Sequence, residues 1–285
     1  MSGRFLFGVL LTVFAMMVPV APGAAEPPFV FEDRNNNGIF DGSDVEITQL
    51  LYDQLAFETK ESVVFTGGPF KARDTHSKTT FQSGGVWITA GKNITITSNL
   101  LASFYDGIVQ LDAGDSVVVG SGVLISAKNR IHVEAAKRIE LGDRVTIIST
   151  AGSLNEGAVH LRSSGSFHAG SKLTVRTRTV GEISAAGGDL SLGPGSRVTS
   201  PQGEVSVIAR TDLTAPSARL TARDGVDVFS LGGKGPIDLR NGKLSCSLSP
   251  ANGGSIIVYA PKGTVDVTGA VFNFAPQIEA QDLIQ

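Results

Sequence analysis

Twelve residues near the N-terminus, Asp33-Arg34-Asn35-Asn36-Asn37-Gly38-Ile39-Phe40-Asp41-Gly42-Ser43-Asp44, put oxygen-bearing side chains at positions 1, 3, 5, 9 and 12 of one loop, with glycine at position 6. That density of hard oxygens suits Ca²⁺, which takes six to eight oxygen ligands at about 2.3–2.6 Å, and glycine permits the tight turn between them. The competing reading is an exposed Asn/Gly-rich turn with no ion. Further along, His132 and His160 fall in one outward column on neighbouring strands, about 4.8 Å apart along the backbone. Such a pair can bind a metal or act as acid and base, although two histidines without a third ligand make a poor zinc site. Asp112, Glu134 and Arg162 form a second outward column, in which Glu134 beside Arg162 reads as charge balance between strands. Trp87, the only tryptophan, has outward parity and is expected to pack on a cap.

The elements that position these residues follow from a repeat of roughly 24 residues running from about Gly84 to Ala275. Each copy holds three short bursts of alternating apolar residues. The first recurs as Val86-Trp87-Ile88, Val109-Gln110-Leu111, Ile131-His132-Val133, Val159-His160-Leu161, Ile183-Ser184-Ala185, Val205-Ser206-Val207, Val226-Asp227-Val228 and Ile256-Ile257-Val258. A period of two places the flanking residues inward and the central ones outward. Three bursts per repeat, without consistent Asn-Gly or Asp-Gly punctuation, argue against an antiparallel sandwich. They predict an all-β chain, a single-stranded parallel β-helix of about eight three-strand rungs, right-handed by the crossover rule. Second strands are weaker around Phe167 and Leu213. Residues 26–83 are not repetitive and read as an N-terminal cap. They include a helical-looking stretch, Val45 to Phe57, with Ile47, Leu50, Leu51 and Leu55 near helical spacing.

Two segments, Gly84-Gly85-Val86-Trp87-Ile88-Thr89-Ala90-Gly91-Lys92-Asn93-Ile94-Thr95-Ile96 and Gly187-Gly188-Asp189-Leu190-Ser191-Leu192-Gly193, resemble the repeats of filamentous haemagglutinin-type bacterial adhesins. This resemblance implies an exported bacterial-type β-helix. The chain is short and lacks a recognisable two-partner secretion domain, so it does not imply that export route. The twelve-residue loop resembles the calcium loops of EF-hands and, more closely, of dockerins. That resemblance carries Asp33, Asn35, Asn37, Asp41 and Asp44 over as Ca²⁺ ligands, with Ile39 contributing its carbonyl. There is no second loop, which argues against cohesin binding and for a structural ion that clamps the cap to the first rung.

Composition bounds the rest. The chain has 285 residues, a formal charge of −3, 18% charged residues and 34 glycines. Few charges and many turn residues suit a β-solenoid, and the absence of a net basic footprint argues against nucleic acid as a partner. Arg4, the apolar run Phe5 to Val18 and the small residues Gly23-Ala24-Ala25 read as a secretory signal peptide cleaved before Glu26. No later stretch is long and apolar enough to span a bilayer as a helix. One cysteine, Cys246, precludes an internal disulfide and reads as a buried small hydrophobe. The expected organisation is a signal peptide over 1–25, a cap with the calcium loop over 26–83, the parallel β-helix over 84–275 and a tail or cap over 276–285. The expected function is an exported structural or adhesive rod. Its partner would be an extracellular glycan, a matrix or a protein, with self-association through the end of the stack as a further use. A carbohydrate-active enzyme using Asp112, Glu134 or His132 is the alternative. It is disfavoured by short turns and by the lack of a nucleophile elbow or phosphate-cradling loop.

Overall fold

The computed structural model describes residues 26–54, 56–72, 85–102, 107–150, 157–232 and 235–285. Residues 1–25, read from sequence as a signal peptide, Leu55, and parts of the interruptions at 149–158 and 231–236 lie outside the described residues. Among the described residues, apart from one helix, Thr48–Gln54, and a 3₁₀ turn, Pro250–Asn252, the regular elements are strands. They are short because each alternating apolar burst ends at a turn. Val86–Ala90, Val109–Ala113 and Ile131–Ala135 bury their first, third and fifth residues and leave the second and fourth facing out.

Between Val86 and Ser230 every strand pairs in parallel with the strands three before and three after it. Three ladders result. The first runs Ala56–Thr59, Val86–Ala90, Val109–Ala113, Ile131–Ala135, Val159–Ser163, Val180–Ala185, Glu204–Ala209 and Gly225–Ser230, then continues into Ser255–Asp266 and Gln277–Ile284. The second starts at Ser62–Gly67 and passes through Ile94–Ile96, Ser116–Val119, Arg138–Leu141, Ser166–Ala169, Leu190–Leu192, Leu213–Thr214 and Ile237–Asp238. It joins the first at the long strand Ser255–Asp266, and with the antiparallel strands Pro28–Asp33 and Val45–Glu46 they make one sheet of 20 strands. The third is a separate nine-stranded sheet: Phe70–Lys71, Leu100–Ala102, Leu124–Ala127, Thr146–Ser149, Thr174–Arg176, Arg197–Ser200, Arg219–Ala222, Lys243–Cys246 and Val271–Phe272. The weak second strands at Phe167 and Leu213 are in register, and both residues are fully buried.

The inward columns of all three ladders form one hydrophobic cluster. Burial of apolar area is the main term holding short strands together, at roughly 25 cal/mol per Å². Cys246 lies in that cluster beside Leu244, with its Sγ 2.7 Å from the Arg223 carbonyl oxygen.

The ladders extend beyond the repeat limits read from sequence. Their first strands lie at Ala56, Ser62 and Phe70 rather than after Gly84, and Gln277–Ile284 adds a last strand. The helical-looking stretch divides into the helix Thr48–Gln54, with Ile47 and Leu51 buried at and just before it, and the strand Ala56–Thr59. Strand Pro28–Asp33 runs antiparallel to Ser62–Gly67 and covers the leading edge of the second ladder.

One register differs from the sequence alignment. The partner of Val159-His160-Leu161 is Gly181-Glu182-Ile183, not Ile183-Ser184-Ala185. Gly181 occupies an inward column otherwise filled by Val109, Ile131, Val159 and Val205. The reason is local packing. The buried Thr177 lies against this glycine, so that a Cβ at 181 would come 3.1 Å from Thr177 Cγ2 and 3.3 Å from Val198 Cγ1. An apolar side chain is missing because another residue fills its space.

Candidate functional site

Two clusters gather the residues singled out by sequence. The first is the loop that ends strand Pro28–Asp33. Gly38 (φ +74°) and Asn36 (φ +59°) adopt left-handed backbone and turn the chain back on itself. Nothing crowds a Cβ at Gly38, so its requirement is conformational. Buried Asp33 accepts hydrogen bonds from the backbone N–H groups of Asn37 (3.2 Å) and Gly38 (2.7 Å). The Asn35 and Asn37 side-chain oxygens accept from the N–H groups of Asn37 (3.1 Å) and Ile39 (2.7 Å). Asp41 accepts from Asn35 Nδ2 (2.7 Å), Asn37 Nδ2 (3.2 Å), Ser43 Oγ (2.7 Å) and the Ser43 N–H (2.9 Å). The Ser43 side chain, then its backbone and the Asn35 amide, pull the Asp41 carboxyl down to about 2. Asp44 accepts from the N–H groups of Arg34 and Asp41, both at 2.9 Å.

The loop thus brings Asp33, Asn35, Asn37, Asp41 and Asp44 together, while the Ile39 side chain faces solvent. Phe40 packs edge-on against Phe29 and Phe31, with ring centroids 4.9 and 5.4 Å away. By type these residues fit Ca²⁺: three carboxylates and two amides, all hard oxygen donors. Seating an ion also requires the Asn35 and Asn37 amides to turn their oxygens inward, because both now present NH₂ to Asp41. Sequence reasoning missed Asn36. Its side-chain oxygen accepts from Ser62 Oγ (2.6 Å) and Asn93 Nδ2 (2.9 Å), tying the loop to the second ladder.

The second cluster lies on the outward side of the first ladder. One column reads Trp87, Gln110, His132, His160, Glu182, Ser206, Asp227 and Ile257. The other reads Thr89, Asp112, Glu134, Arg162, Ser184, Ile208, Phe229 and Tyr259. His132 and His160 are neighbours, with ring centroids 6.2 Å apart, but each has its own carboxylate. His132 Nε2 is 3.2 Å from Glu134 Oε2 and 4.0 Å from Asp112 Oδ1. Gln110 Nε2 donates to Asp112 Oδ2 at 2.8 Å. Among the described residues, Asp112, His132 and Glu134 are the one set of three such side chains whose donor atoms all lie within 4.8 Å of one another. The three loop aspartates are not drawn together that closely.

His160 Nδ1 is 3.1 Å from Glu182 Oε2, and Arg162 grips Glu182 with two bonds, Nε to Oε1 at 2.8 Å and Nη2 to Oε2 at 2.6 Å. The expected Glu134–Arg162 pairing holds in register, but the bidentate partner of Arg162 is Glu182. The His160 hydrogen bond, aided by Arg162, pulls the Glu182 carboxyl down to about 2 against the opposing effect of burial, and Glu182 raises the Arg162 guanidinium. Glu182 escaped sequence reading because the slip at Gly181 placed Ser184 in its column. Trp87 folds its indole over Gly85, where a Cβ would come within 2.8 Å of the ring.

Further along, the same face changes character. Phe229 and Tyr259 meet edge-on at 5.9 Å beside the half-buried Asp227, whose Oδ1 has no hydrogen-bond partner. Burial, then Glu204, pushes the Asp227 carboxyl up.

No family model, curated protein or solved structure matches the chain.

Proposed function

We propose that the chain is an exported structural or adhesive β-solenoid that presents flat polar faces to a glycan, a matrix or a protein partner. On this reading the three ladders coil as one right-handed, single-stranded parallel β-helix of the filamentous haemagglutinin-like kind. The observation that supports it is the parallel pairing of each strand from Val86 to Ser230 with those three before and after it around one continuous hydrophobic cluster. Such a stack resists bending and repeats its outward chemistry along its length.

Ca²⁺ held by Asp33, Asn35, Asn37, the Ile39 carbonyl, Asp41 and Asp44 would stiffen the cap. The Asn36 contacts to Ser62 and Asn93 support this, because ordering the loop orders its attachment to the ladder. An ion bound only by the folded chain stabilises it by mass action. Ca²⁺ is expected to raise the melting temperature of the chain from Glu26 onward, and Asp33→Ala with Asp41→Ala to abolish that rise. A Ca²⁺ response unchanged in the double variant removes the loop as the site.

The alternative of a carbohydrate-active enzyme draws on Asp112 and Glu134, which face each other across adjacent strands with His132 between them. Incubation with a panel of insoluble polysaccharides, in Ca²⁺ and in chelator, separates the readings. Retention of protein without released sugar supports the adhesive one. Released sugar that disappears in Asp112→Asn or Glu134→Gln overturns it.

A further inference from the structure

Charge is segregated between the two sheets. The strands of the 20-stranded sheet carry 14 acidic residues and 3 cations, Arg138, Arg162 and Lys262. The nine strands of the third ladder carry no Asp or Glu and 5 cations, Lys71, Arg176, Arg197, Arg219 and Lys243. A chain with net charge −3 therefore has one sheet whose charged strand residues are all cations. Register sharpens this. Arg197, Arg219 and Lys243 are direct neighbours on three successive strands, and all three are exposed. Like charges directly opposite each other in a sheet are destabilising. Among the described residues no carboxylate lies within ion-pair distance of Arg176, Arg197, Arg219 or Lys243. The neighbouring outward column is Arg176, Thr199, Thr221 and Ser245, with hydroxyls 3.2 Å apart at Thr221 and Ser245. At the corner beside Arg176 lies a depression lined by Thr150, Thr177, Arg178 and Gln202, with no acid among the described residues that line it.

We propose that this face binds an acidic polysaccharide, with its carboxylate or sulfate groups along Arg197, Arg219 and Lys243 and its hydroxyls along Thr199, Thr221 and Ser245. The inference rests on the adhesive reading and names its face and ligand class. A polyanion removes the repulsion between stacked cations, and the hydroxyl column supplies the partners that sugar rings need. Single-stranded nucleic acid, the rival polyanion, relies on aromatic side chains for base stacking, and the outward positions of these strands hold none.

The test uses polygalacturonate, a uronate polymer, as probe. Binding to the chain from Glu26 onward is expected at low ionic strength and to weaken as salt rises. The triple variant Arg197→Gln, Arg219→Gln, Lys243→Gln is expected to lose about tenfold or more in affinity, with a salt slope shallower by about two to three. Its melting temperature should be unchanged or higher, because the repulsion is gone. A control with the same charge change elsewhere, Lys137→Gln, Arg138→Gln, Lys262→Gln, should lose less than about threefold, the difference expected from non-specific charge alone. Equal loss in the two triples, undiminished binding by the ladder triple, or tighter binding of poly(dT) or anionic vesicles through the same residues overturns the proposal. Retention of a neutral polysaccharide without polygalacturonate binding overturns it while leaving the adhesive reading standing. Failure to retain any polysaccharide overturns it and leaves only the protein-partner form of the adhesive reading.

Discussion

The outward sides of the first and third ladders share one backbone geometry and differ in how they treat charge. On the first, the middle strands pair their ionisable groups: Glu182 sits between His160 and Arg162, and His132 sits beside Asp112 and Glu134, while Asp227 further along faces no cation among the described residues. On the third, Arg197, Arg219 and Lys243 stack on one another with no described partner of opposite sign. In parallel strands in register, the nearest neighbour of an outward side chain is the residue one repeat away. Whether a face neutralises itself or projects charge is therefore decided by register and not by the local sequence. A self-neutralised face contributes stability, and a segregated one attracts a partner at some cost in stability.

That contrast can be broken most severely from the inside. Leu161→Asp puts a carboxylate between Val133 and Ile183, where no partner exists, and is expected to cost more than about 4 kcal/mol and to prevent folding. Arg162→Ser, one residue along and outward, should fold, as the circular dichroism spectra of the two variants will report. Inward destabilisation no greater than outward would sink the assignment of columns.

Next comes the register itself. Gly181→Val should destabilise by about 1–3 kcal/mol through overpacking against Thr177 and Val198. Thr177→Ala in the same chain should recover part of that loss, measured as a double-mutant cycle in denaturant titration. Strict additivity would mean that the two side chains do not share the space.

The first ladder's self-neutralisation has a pH signature. Glu182 is held down to about 2 from its ordinary 4.5. Because the folded-state value is depressed, the associated stability is fully present above about pH 5, and it is lost as pH falls toward 2. The grip of Arg162 is partly solvent-screened, so the contribution is about 1–2 kcal/mol. Glu182→Gln should lower stability by that amount at neutral pH and flatten the decline between pH 5 and 2. Parallel pH curves for the two proteins would contradict the pairing.

The smallest effect has the opposite sign. Arg219→Glu places an acid between Arg197 and Lys243, converting two like-charge contacts into two opposite ones. It is expected to stabilise the chain by about 0.5 kcal/mol, less at high salt. Thermal melts at low and high ionic strength check it, and a destabilised variant would show that the cations are not in contact range.

Much of this molecule is legible one residue at a time. The alternation Val-x-Ile or Ile-x-Val reports a strand, and the parity that buries Val133 and Leu161 exposes His132 and His160 without further information. The grouping of Asp33, Asn35, Asn37, Asp41 and Asp44 is equally local: the hydrogen bonds that these side chains accept from within the loop connect residues two to ten apart, so they converge wherever the rest of the chain lies. Two features were harder to read. Strands at Ala56, Ser62 and Phe70 lie outside the clean repeat because their outer neighbours belong to the cap. The Gly181 register slip hid Glu182 because an inward glycine carries no apolar signal.

The sequence by itself determined the strands, their inward and outward sides and the grouping of oxygens in the N-terminal loop, because these depend on backbone period and on contacts within a few residues. Only the tertiary structure decided that Glu182 joins His160 to Arg162, that Asn36 ties the loop to Ser62 and Asn93, and that three cations from separate repeats form one ridge. Those outcomes depend on which residues lie opposite one another across strands 20 or more positions apart. Register between strands is set by how turns of unequal length and buried side chains such as Thr177 fit together in three dimensions.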